Sequence, residues 1–239
     1  MKLACASGAF DRAIRSNELT QLEFLELCAH QLACDGVVLD GRHFPRGDDD
    51  YLAQIKKLSA DWGLSIAALN DARFFSAAPG EMESSLARAQ TLGAPLLAAP
   101  LGRLFDGSWS DQLERLNAAT SLAKAYNITL AVRNAPDTFA AGSHDYRRVA
   151  KEADSAWLRY GPELQALEAG SDVASLRSNT VLLWSDAATQ TERSMRAVST
   201  EFQSFLGFLV LDDREGAADT AAVAAGVRKW RLLLAPAVE

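Results

Sequence analysis

Short apolar runs alternate with amphipathic stretches along the chain, and this alternation predicts strands separated by helices. Gly36–Asp40 is an apolar run of strand length. The stretch after it carries apolar side chains at spacings of three and four, which share one helical face: Tyr51, Ile55, Leu58 and Trp62. Gly63 ends this predicted helix, and Leu64–Leu69 is the next apolar run. The pattern therefore predicts a strand, a helix and a second strand in succession.

The same unit recurs through the first half of the chain. Gly63, Gly93 and Asn127 occupy equivalent places after three predicted helices, and glycine and asparagine are the residues that best adopt the left-handed conformation there. A unit takes about 30 residues, so eight units fit a chain of this length. Alternating strands and helices form parallel sheets with helical crossovers. We therefore predict an α/β fold, a (β/α)8 TIM barrel, as a single domain over residues 1–239.

The second half of the chain follows the same alternation less regularly. Its predicted elements, in order, are a helix Ser143–Ala153, a strand Ser155–Tyr160, a short helix Pro162–Glu168, a strand Asn179–Trp184, a helix Gln190–Phe205, a strand Gly207–Leu211 and a helix Ala217–Leu233. No linker or low-complexity segment interrupts them. The whole chain is consistent with one barrel.

The stretch from Asn127 to Pro136 carries the most informative side chain. Thr129–Val132 is β-branched and apolar, and Pro136 prevents sheet pairing beyond it. This predicted fifth strand ends in Arg133 and Asn134. A guanidinium group is therefore expected at the carboxyl end of a barrel strand, where the chemistry of TIM barrels takes place.

Composition excludes several classes of function. The formal charge of −7 and the lack of a Lys/Arg run argue against nucleic-acid binding. No apolar run approaches the ~18 residues of a membrane span. The cysteines Cys5, Cys28 and Cys34 form no CxxC pair and lie in apolar surroundings, which is typical of reduced thiols. We expect a cytoplasmic protein without membrane or nucleic-acid partners, and the sequence leaves a homo-oligomer open.

Several segments together resemble the xylose isomerase-like barrel family, which includes sugar isomerases, hydroxypyruvate isomerases, keto-sugar epimerases and a branch of DNA-repair endonucleases. Leu25–Leu32 followed by Asp35–Asp40 is similar to the first helix and second strand of that family. Trp62–Leu69 and Leu92–Leu97 are similar to its third and fourth strands. The resemblance extends over nearly the whole chain and implies the barrel fold, with a site at the strand ends.

The resemblance also implies where a divalent metal would be held. Members with metal chemistry carry a glutamate after strand five, an aspartate after strand six, a histidine on strand seven and a glutamate after strand eight. The corresponding positions here are Arg133, then Tyr160 or Gly161, then Leu183, and finally Asp212. Only Asp212 remains a potential ligand. Asp186 retains the acid that ends the strand-seven motif of the family.

A simple estimate shows the effect of Arg133 on such a site. Its guanidinium remains charged because its pKa lies above 12. At about 4 Å and an effective dielectric constant near 20, it would repel a divalent ion by roughly 8 kcal/mol. One aspartate cannot offset this, since zinc and the harder divalent ions need several protein ligands. We therefore predict no cofactor and no divalent metal.

The candidate site residues all lie at or just past predicted strand ends. The candidates for proton transfer are His43, Asp212 and Asp40. The candidates for ligand binding are Arg42, Arg133, Asn134, Arg159, Tyr160, Trp184, Asp186 and Arg214. The arginines could converge on a carboxylate or phosphate, or Arg133 could instead form a buried ion pair with Asp212 or Asp186. His43 is either a proton-transfer group or a loop histidine in solvent.

Two hypotheses for function follow. The first is a metal-independent, isomerase-like enzyme acting on a small sugar, sugar acid or keto-acid, in which arginines hold an anionic group and His43 or Asp212 moves a proton beside a carbonyl. The second is a barrel without catalytic activity that binds a small anionic metabolite or a protein partner. The endonuclease branch of the family is disfavoured because neither a ligand set nor a basic groove is visible in the sequence.

Overall fold

The computed structural model describes residues 1–164, 176–187, 189 and 191–234. The strands of the described residues are β1 (Lys2–Ala6), β2 (Gly36–Asp40), β3 (Ser65–Asn70), β4 (Leu96–Pro100), β5 (Thr129–Arg133), β6 (Leu158–Tyr160), β7 (Leu182–Asp186) and β8 (Phe208–Asp212). They form one sheet in the order β6-β5-β4-β3-β2-β1-β8-β7, and every neighbouring pair is parallel.

The two ends of this sheet meet and close it into a barrel. The Val181 N–H donates to the Tyr160 carbonyl at 2.9 Å, and the Trp184 N–H donates to the Pro162 carbonyl at 2.9 Å. These bonds join the end of β6 to β7, although no continuous ladder forms between the two strands. The (β/α)8 TIM barrel predicted from the alternating pattern is therefore confirmed.

Helices surround the strands. In the described residues they are α1 (Asp11–Arg15), α2 (Gln21–Glu26), α3 (Asp49–Asp61), α4 (Pro79–Leu92), α5 (Trp109–Tyr126), α6 (Ser143–Ala153), α7 (Glu192–Glu201) and α8 (Thr220–Leu234). A π-helical turn, Leu27–Gln31, extends α2. None of these helices combines the length and the apolar character needed to cross a membrane.

The helix ends predicted at Gly63, Gly93 and Asn127 agree with the structure, whereas α7 ends at Glu201 instead of Phe205 and α8 begins at Thr220 instead of Ala217. Gly63, Gly93 and Asn127 have φ angles of 71°, 75° and 56°, which place all three in the left-handed region. The Thr20 side chain accepts from the Glu23 N–H at 3.2 Å, and the Glu23 carboxylate accepts from the Thr20 N–H at 2.7 Å, so that α2 begins with a capping box. These boundaries are local properties of the sequence.

The barrel encloses a core of small side chains. The buried residues of this inner cluster are Ala4, Ala6, Val38, Ala67, Ala68, Ala98, Ala131, Leu182, Trp184 and Val210. The indole of Trp184 is by far its largest member and is 1% exposed. A second and larger cluster of Leu, Ile, Val and Phe side chains packs between the strands and the helices. The inner alanines leave room for this single large ring.

The alternation of side chains along each strand carries polar groups to the barrel mouth. Because side chains repeat with a period of two, the residue two positions after an inward-facing alanine or valine also faces inward. Val38, Ala68, Ala131 and Val210 are followed at this spacing by polar residues that end their strands: Asp40, Asn70, Arg133 and Asp212. The fold thereby brings four polar side chains together above the inner core.

The second half departs from the predicted boundaries. β6 covers only the last three residues of the predicted strand Ser155–Tyr160, and β7 begins three residues after the predicted Asn179 because Arg177–Asn179 forms a 3-10 turn. The predicted helix Pro162–Glu168 lies partly outside the described residues, and within them Glu163 forms a bridge with Trp184. Gln190, the predicted start of another helix, also lies outside the described residues.

Candidate functional site

Arg133 lies at the centre of the polar cluster at the barrel mouth. Its Nη1 donates to Asn70 Oδ1 at 3.2 Å, and its Nη2 donates to Asp212 Oδ2 at 3.1 Å and to Glu163 Oε1. The side chains of Arg133, Glu163 and Asp212 are each only 14% exposed. Asp212 is one of the two ion-pair partners proposed from the sequence, whereas Glu163 is a partner that the sequence did not indicate.

Trp184 supports this guanidinium from below. The Arg133 Cζ atom lies 3.5 Å from the centroid of the Trp184 ring, which is the geometry of a cation–π contact. The indole is buried in the inner core, so its face is covered by Arg133 instead of being open to a sugar ring. Trp184 and Arg133 thus form the floor of the barrel mouth.

A second ion pair lies beside this centre. Arg42 donates to Asp40 through Nε at 2.9 Å and Nη2 at 3.0 Å, and Asn70 Nδ2 donates to Asp40 Oδ2 at 2.9 Å. Asn70 therefore connects the Asp40 carboxylate to Arg133. Arg214 completes the network by donating to Glu163 Oε2 at 2.9 Å. Each of the three arginines at the mouth is neutralised by a carboxylate.

The two strand-end aspartates differ in their proton affinity. Burial raises the pKa of Asp212 above the usual carboxyl value, and the attraction of Arg133 offsets only part of that effect. Burial also acts on Asp40, but its hydrogen bonds from Arg42 hold its pKa below the usual value. The pKa of Arg133 is lowered by burial and raised more strongly by Asp212 and Glu163, so the guanidinium remains charged. Of the two aspartates, Asp212 is therefore the one whose pKa is raised.

A cavity of about 310 Å³ opens at the carboxyl ends of the strands. Its lining includes three arginines and six carboxylates, namely Arg42, Arg133, Arg214, Asp11, Asp40, Glu163, Asp212, Asp213 and Glu215. The excess of carboxylates favours a neutral, hydroxyl-rich compound over an anion. Within the described residues, no group of three or more His, Cys, Asp or Glu side chains is arranged to hold a metal ion.

His43 is buried behind this cavity and does not line it. Its Nδ1 atom lies 2.8 Å from Ser7 Oγ, and its Nε2 atom lies 2.9 Å from Asp11 Oδ1. Both ring nitrogens therefore have protein partners. The loop histidine in solvent, one of the two sequence interpretations, is wrong, and any action of His43 on a ligand must pass through Asp11.

The remaining predicted ligand-binding residues are divided between the cavity and other places. Asn134 lines the cavity and is fully buried, with its Oδ1 accepting from the Glu163 N–H at 2.6 Å. Arg159 donates to the carbonyls of Ser155 and Leu158, and Tyr160 donates to the Tyr146 carbonyl, so neither belongs to the Arg133 network. Asp186 accepts from the Thr189 N–H at 3.2 Å and lines a separate cavity.

Three residues of the site were missed by sequence reasoning. Glu163 follows β6 immediately after Gly161 and Pro162, and its position in a predicted helix concealed its role. Ser7 and Asp11 follow β1, and a serine or an aspartate after one strand is too common a signal to single out. A systematic search for polar residues after every strand would have found all three.

Comparison with solved structures identifies the class of fold. The chain has the fold of the xylose isomerase-like TIM barrels. No protein-family model matches the sequence, and no curated protein matches it either. The similarity is thus one of three-dimensional structure, at sequence identities that establish the fold alone.

Three solved structures illustrate this similarity. A D-psicose 3-epimerase from Clostridium cellulolyticum H10, solved with D-tagatose, has a TM-score of 0.79 at 12% identity, covering 98% of this chain and 99% of that one. The probable 3-DHS dehydratase AsbF of Bacillus anthracis has a TM-score of 0.75 at 14% identity, covering 95% and 98%. The IOLI protein, solved with a zinc atom, has a TM-score of 0.74 at 13% identity, covering 98% of both chains.

Proposed function

We propose that this protein is a sugar isomerase- or epimerase-like enzyme that acts at the barrel mouth without a divalent metal, on a small neutral sugar in preference to a sugar acid or keto-acid. The observation that carries the proposal is the buried guanidinium of Arg133, which is bonded to Asn70, Glu163 and Asp212 inside the cavity. Structures with the same fold include enzymes named as sugar epimerases, which supports this class of substrate.

The absence of a metal from the proposed mechanism follows from the place that Arg133 occupies. A divalent ion bound by Asp212 and Glu163 would lie beside a charge that both carboxylates already neutralise. The repulsion of roughly 8 kcal/mol at about 4 Å would have to be overcome by ligands that the described residues do not supply. These residues do not fit a divalent ion, and no step is assigned to one.

The proposed chemistry is proton transfer next to a carbonyl group. Asp212, whose pKa is raised by burial, takes a proton from the carbon beside the carbonyl. The electron pair of the broken C–H bond forms a carbon–carbon double bond, and the carbonyl oxygen becomes an enediolate oxygen. The guanidinium of Arg133 stabilises that negative charge by hydrogen bonding. Return of the proton to the neighbouring carbon completes isomerisation, whereas epimerisation requires a proton to be delivered to the opposite face of the same carbon.

One observation favours the second candidate, a barrel that binds a small metabolite without catalysis. Arg42, Arg133 and Arg214 are each paired with a carboxylate of the protein, so that a ligand must compete with these ion pairs. Under this hypothesis the arginine–carboxylate pairs stabilise the fold, and the cavity binds the metabolite without catalysing a reaction.

Proton exchange separates the two candidates. The protein is incubated in deuterated water with a panel of aldoses, ketoses, sugar acids and keto-acids, and exchange at the carbon beside the carbonyl is followed by proton NMR. We expect exchange with at least one compound, and we expect Arg133→Gln to slow it by about 100-fold. Arg196→Gln, which alters an exposed arginine on α7, is the matched control and should leave the rate unchanged. Thermal stabilisation by a compound without any exchange would support the binding candidate instead.

Metal titration tests the role of Arg133 directly. Isothermal titration of the purified protein with Mn²⁺ and Zn²⁺ should give no stoichiometric binding. Arg133→Glu should create a binding site, because it adds a third carboxylate to Glu163 and Asp212 and removes the positive charge. One equivalent of metal bound tightly by the wild-type protein would contradict the metal-independent mechanism.

A further inference from the structure

Asp11 is held in the cavity wall by three separate loops of the barrel. It begins α1 after β1, and it contacts His43, which follows β2. The loop after β8 supports it from the other side, because a Cβ atom added at Gly216 would lie only 2.7 Å from Asp11 Cβ. The Arg12 N–H also donates to the Gly216 carbonyl at 2.8 Å. The carboxylate is thereby fixed at the edge of the same cavity that Asp212 lines.

The hydrogen bonds behind Asp11 run in one direction. An ionised carboxylate only accepts hydrogen bonds, so His43 Nε2 carries the proton that it shares with Asp11 Oδ1 at 2.9 Å. In the neutral ring Nδ1 is then an acceptor, and the Ser7 hydroxyl donates to it at 2.8 Å. Ser7 Oγ in turn accepts from the Asp40 N–H at 2.9 Å. In the neutral ring, these hydrogen bonds favour the tautomer with the proton on Nε2, and they hold the orientation of His43.

The outer end of this chain is open to the cavity. The His43 side chain is fully buried, whereas that of Asp11 is 21% exposed. Asp11 Oδ2 lies 3.7 Å from Arg15 Nη1, and the Arg15 side chain is itself 72% exposed. Arg42 Nη2 also lies 3.4 Å from Asp11 Oδ1, so this oxygen is held by both His43 and Arg42. Asp11 remains partly exposed and lines the cavity, where its carboxylate can meet a bound compound.

We propose that Asp11 moves a proton between two oxygen atoms of the substrate, with His43 and Ser7 as positioning residues that hold its carboxylate. This inference rests on the proposed function and narrows it to the isomerisation of a 2-hydroxy carbonyl compound. Epimerisation needs a proton to leave one face of a carbon and a proton to reach its opposite face, whereas isomerisation requires a hydroxyl proton to move to the former carbonyl oxygen.

The step balances within the enediolate that Asp212 generates. That intermediate has a negative oxygen on the former carbonyl carbon and a hydroxyl on the adjacent carbon. Asp11 takes the hydroxyl proton and gives it to the negative oxygen, so that the charge moves to the other oxygen and Asp11 returns to its ionised form. The protonated Asp212 then gives its proton to the former carbonyl carbon, and the second oxygen becomes the new carbonyl.

The test compares two rates measured on the same samples. D-Xylose, D-glucose, D-fructose and D-glucuronate are incubated with the enzyme in deuterated water. NMR then follows deuterium uptake beside the carbonyl as well as net interconversion of aldose and ketose. We expect Asp11→Asn to slow interconversion by about 100-fold and to slow deuterium uptake far less. Asp61→Asn, which changes an exposed aspartate on α3, is the matched control and should alter neither rate.

The positioning role of His43 requires a separate comparison. His43→Gln can still place an N–H donor near Asp11, whereas His43→Phe cannot. The quantity compared is the rate of aldose–ketose interconversion divided by the rate of deuterium uptake. We expect this ratio to stay close to the wild-type value in His43→Gln and to fall about tenfold in His43→Phe. Nitrogen-15 NMR of the wild-type ring should show the proton on Nε2. Thermal unfolding of each variant shows whether it has folded.

The outcomes distinguish this inference from the proposed function. Equal slowing of both rates in Asp11→Asn, or interconversion that remains within threefold of wild type, would overturn the role of Asp11 alone. A ring proton on Nδ1 would overturn the hydrogen-bond chain that positions it. If the wild-type protein exchanges no carbon-bound proton with any of the four sugars, the proposed isomerase activity is itself rejected for them, and the role of Asp11 with it.

Discussion

The guanidinium of Arg133 contacts groups from four other parts of the barrel. Its partners are Asn70 at the end of β3, Glu163 after β6, Trp184 on β7 and Asp212 at the end of β8. A buried charge is strongly destabilising unless it is paired and hydrogen-bonded, and here two carboxylates and an amide supply these bonds. Removing one partner would leave the buried charges of the remaining groups partly unpaired. The side chain therefore organises the mouth whether or not the site is catalytic.

Asp40 gives a prediction for stability at the scale of one residue. Its pKa is lowered in the folded state, so its stabilising contribution is present above the unfolded-state pKa of about 3.9 and is lost as the pH falls through the folded-state pKa. Asp40→Asn should lower the free energy of unfolding by about 2 kcal/mol at pH 7. The difference from wild type should shrink below pH ~4. Urea denaturation at both pH values measures it.

The control for this prediction is Asp61→Asn. Asp61 pairs with Lys57 on the exposed face of α3, where an ion pair contributes at most about 0.5 kcal/mol. If Asp40→Asn lowers the free energy of unfolding by no more than this control at neutral pH, the hydrogen bonds from Arg42 and Asn70 to Asp40 do not stabilise the fold.

At the scale of elements, the sequence indicated best the helix ends that carry a local capping signal. Helix ends depend on a few neighbouring residues, as the capping box of α2 and the left-handed Gly93 illustrate. The extent of a strand depends on its neighbours in the sheet. β6 is only three residues long although the apolar pattern is longer, and a 3-10 turn delays the start of β7. The local pattern of apolar residues does not predict these effects, because they depend on contacts with neighbouring strands.

Gly36 at the start of β2 yields a prediction for packing between strands. A Cβ atom there would lie 2.6 Å from the Ser65 carbonyl oxygen on β3 and 2.8 Å from the Phe208 ring on β8. The carbonyl belongs to the paired strand and cannot move cheaply, so Gly36→Ala should destabilise the protein by about 1–3 kcal/mol. Chemical denaturation measures the change.

Gly80 supplies the matched glycine. It lies in the first turn of α4, and an added Cβ atom would meet nothing within 4 Å. Gly80→Ala should therefore be neutral or stabilise the protein by up to about 1 kcal/mol, since alanine has the higher helix propensity. Equal effects at the two positions would show that β2 and β3 can separate to admit a methyl group.

At the scale of the whole molecule, the described residues show a weak seam between β6 and β7. β7 and β8 pair over five residues, whereas the described contacts of β6 with the β7 side are two isolated bridges, Tyr160 with Thr180 and Glu163 with Trp184. Glu163 lies at this seam and holds Arg133. Opening of the seam would therefore separate Glu163 from Arg133 and alter the site.

Hydrogen exchange tests this weakness. The amides of Val181 and Trp184 donate across the seam, whereas the amide of Leu130 donates from β5 to the Trp157 carbonyl at 2.8 Å. We expect the two seam amides to exchange at least about tenfold faster than that of Leu130, because local opening breaks fewer bonds there. Native-state exchange followed by NMR measures all three. Equal protection would mean that the barrel opens as a single unit.

The sequence by itself determined the order of strands and helices, the helix ends that carry a local capping signal and the residues that follow most strands. These features depend on periodicity and on the preferences of neighbouring residues, which act over one or two turns of chain. The barrel could therefore be predicted from the sequence, and so could the position of Arg133 at the end of its fifth strand.

The tertiary structure alone decided which polar groups meet. Arg133 bonds to residues 30, 63 and 79 positions away in the chain, and His43 lies 36 positions from Ser7 and 32 from Asp11. No local pattern encodes such pairs, because they depend on the closure of the sheet and on the direction of each side chain. For this reason the partners of Glu163, Ser7 and Asp11 could be identified only in the folded barrel, although all three residues follow strands in the sequence.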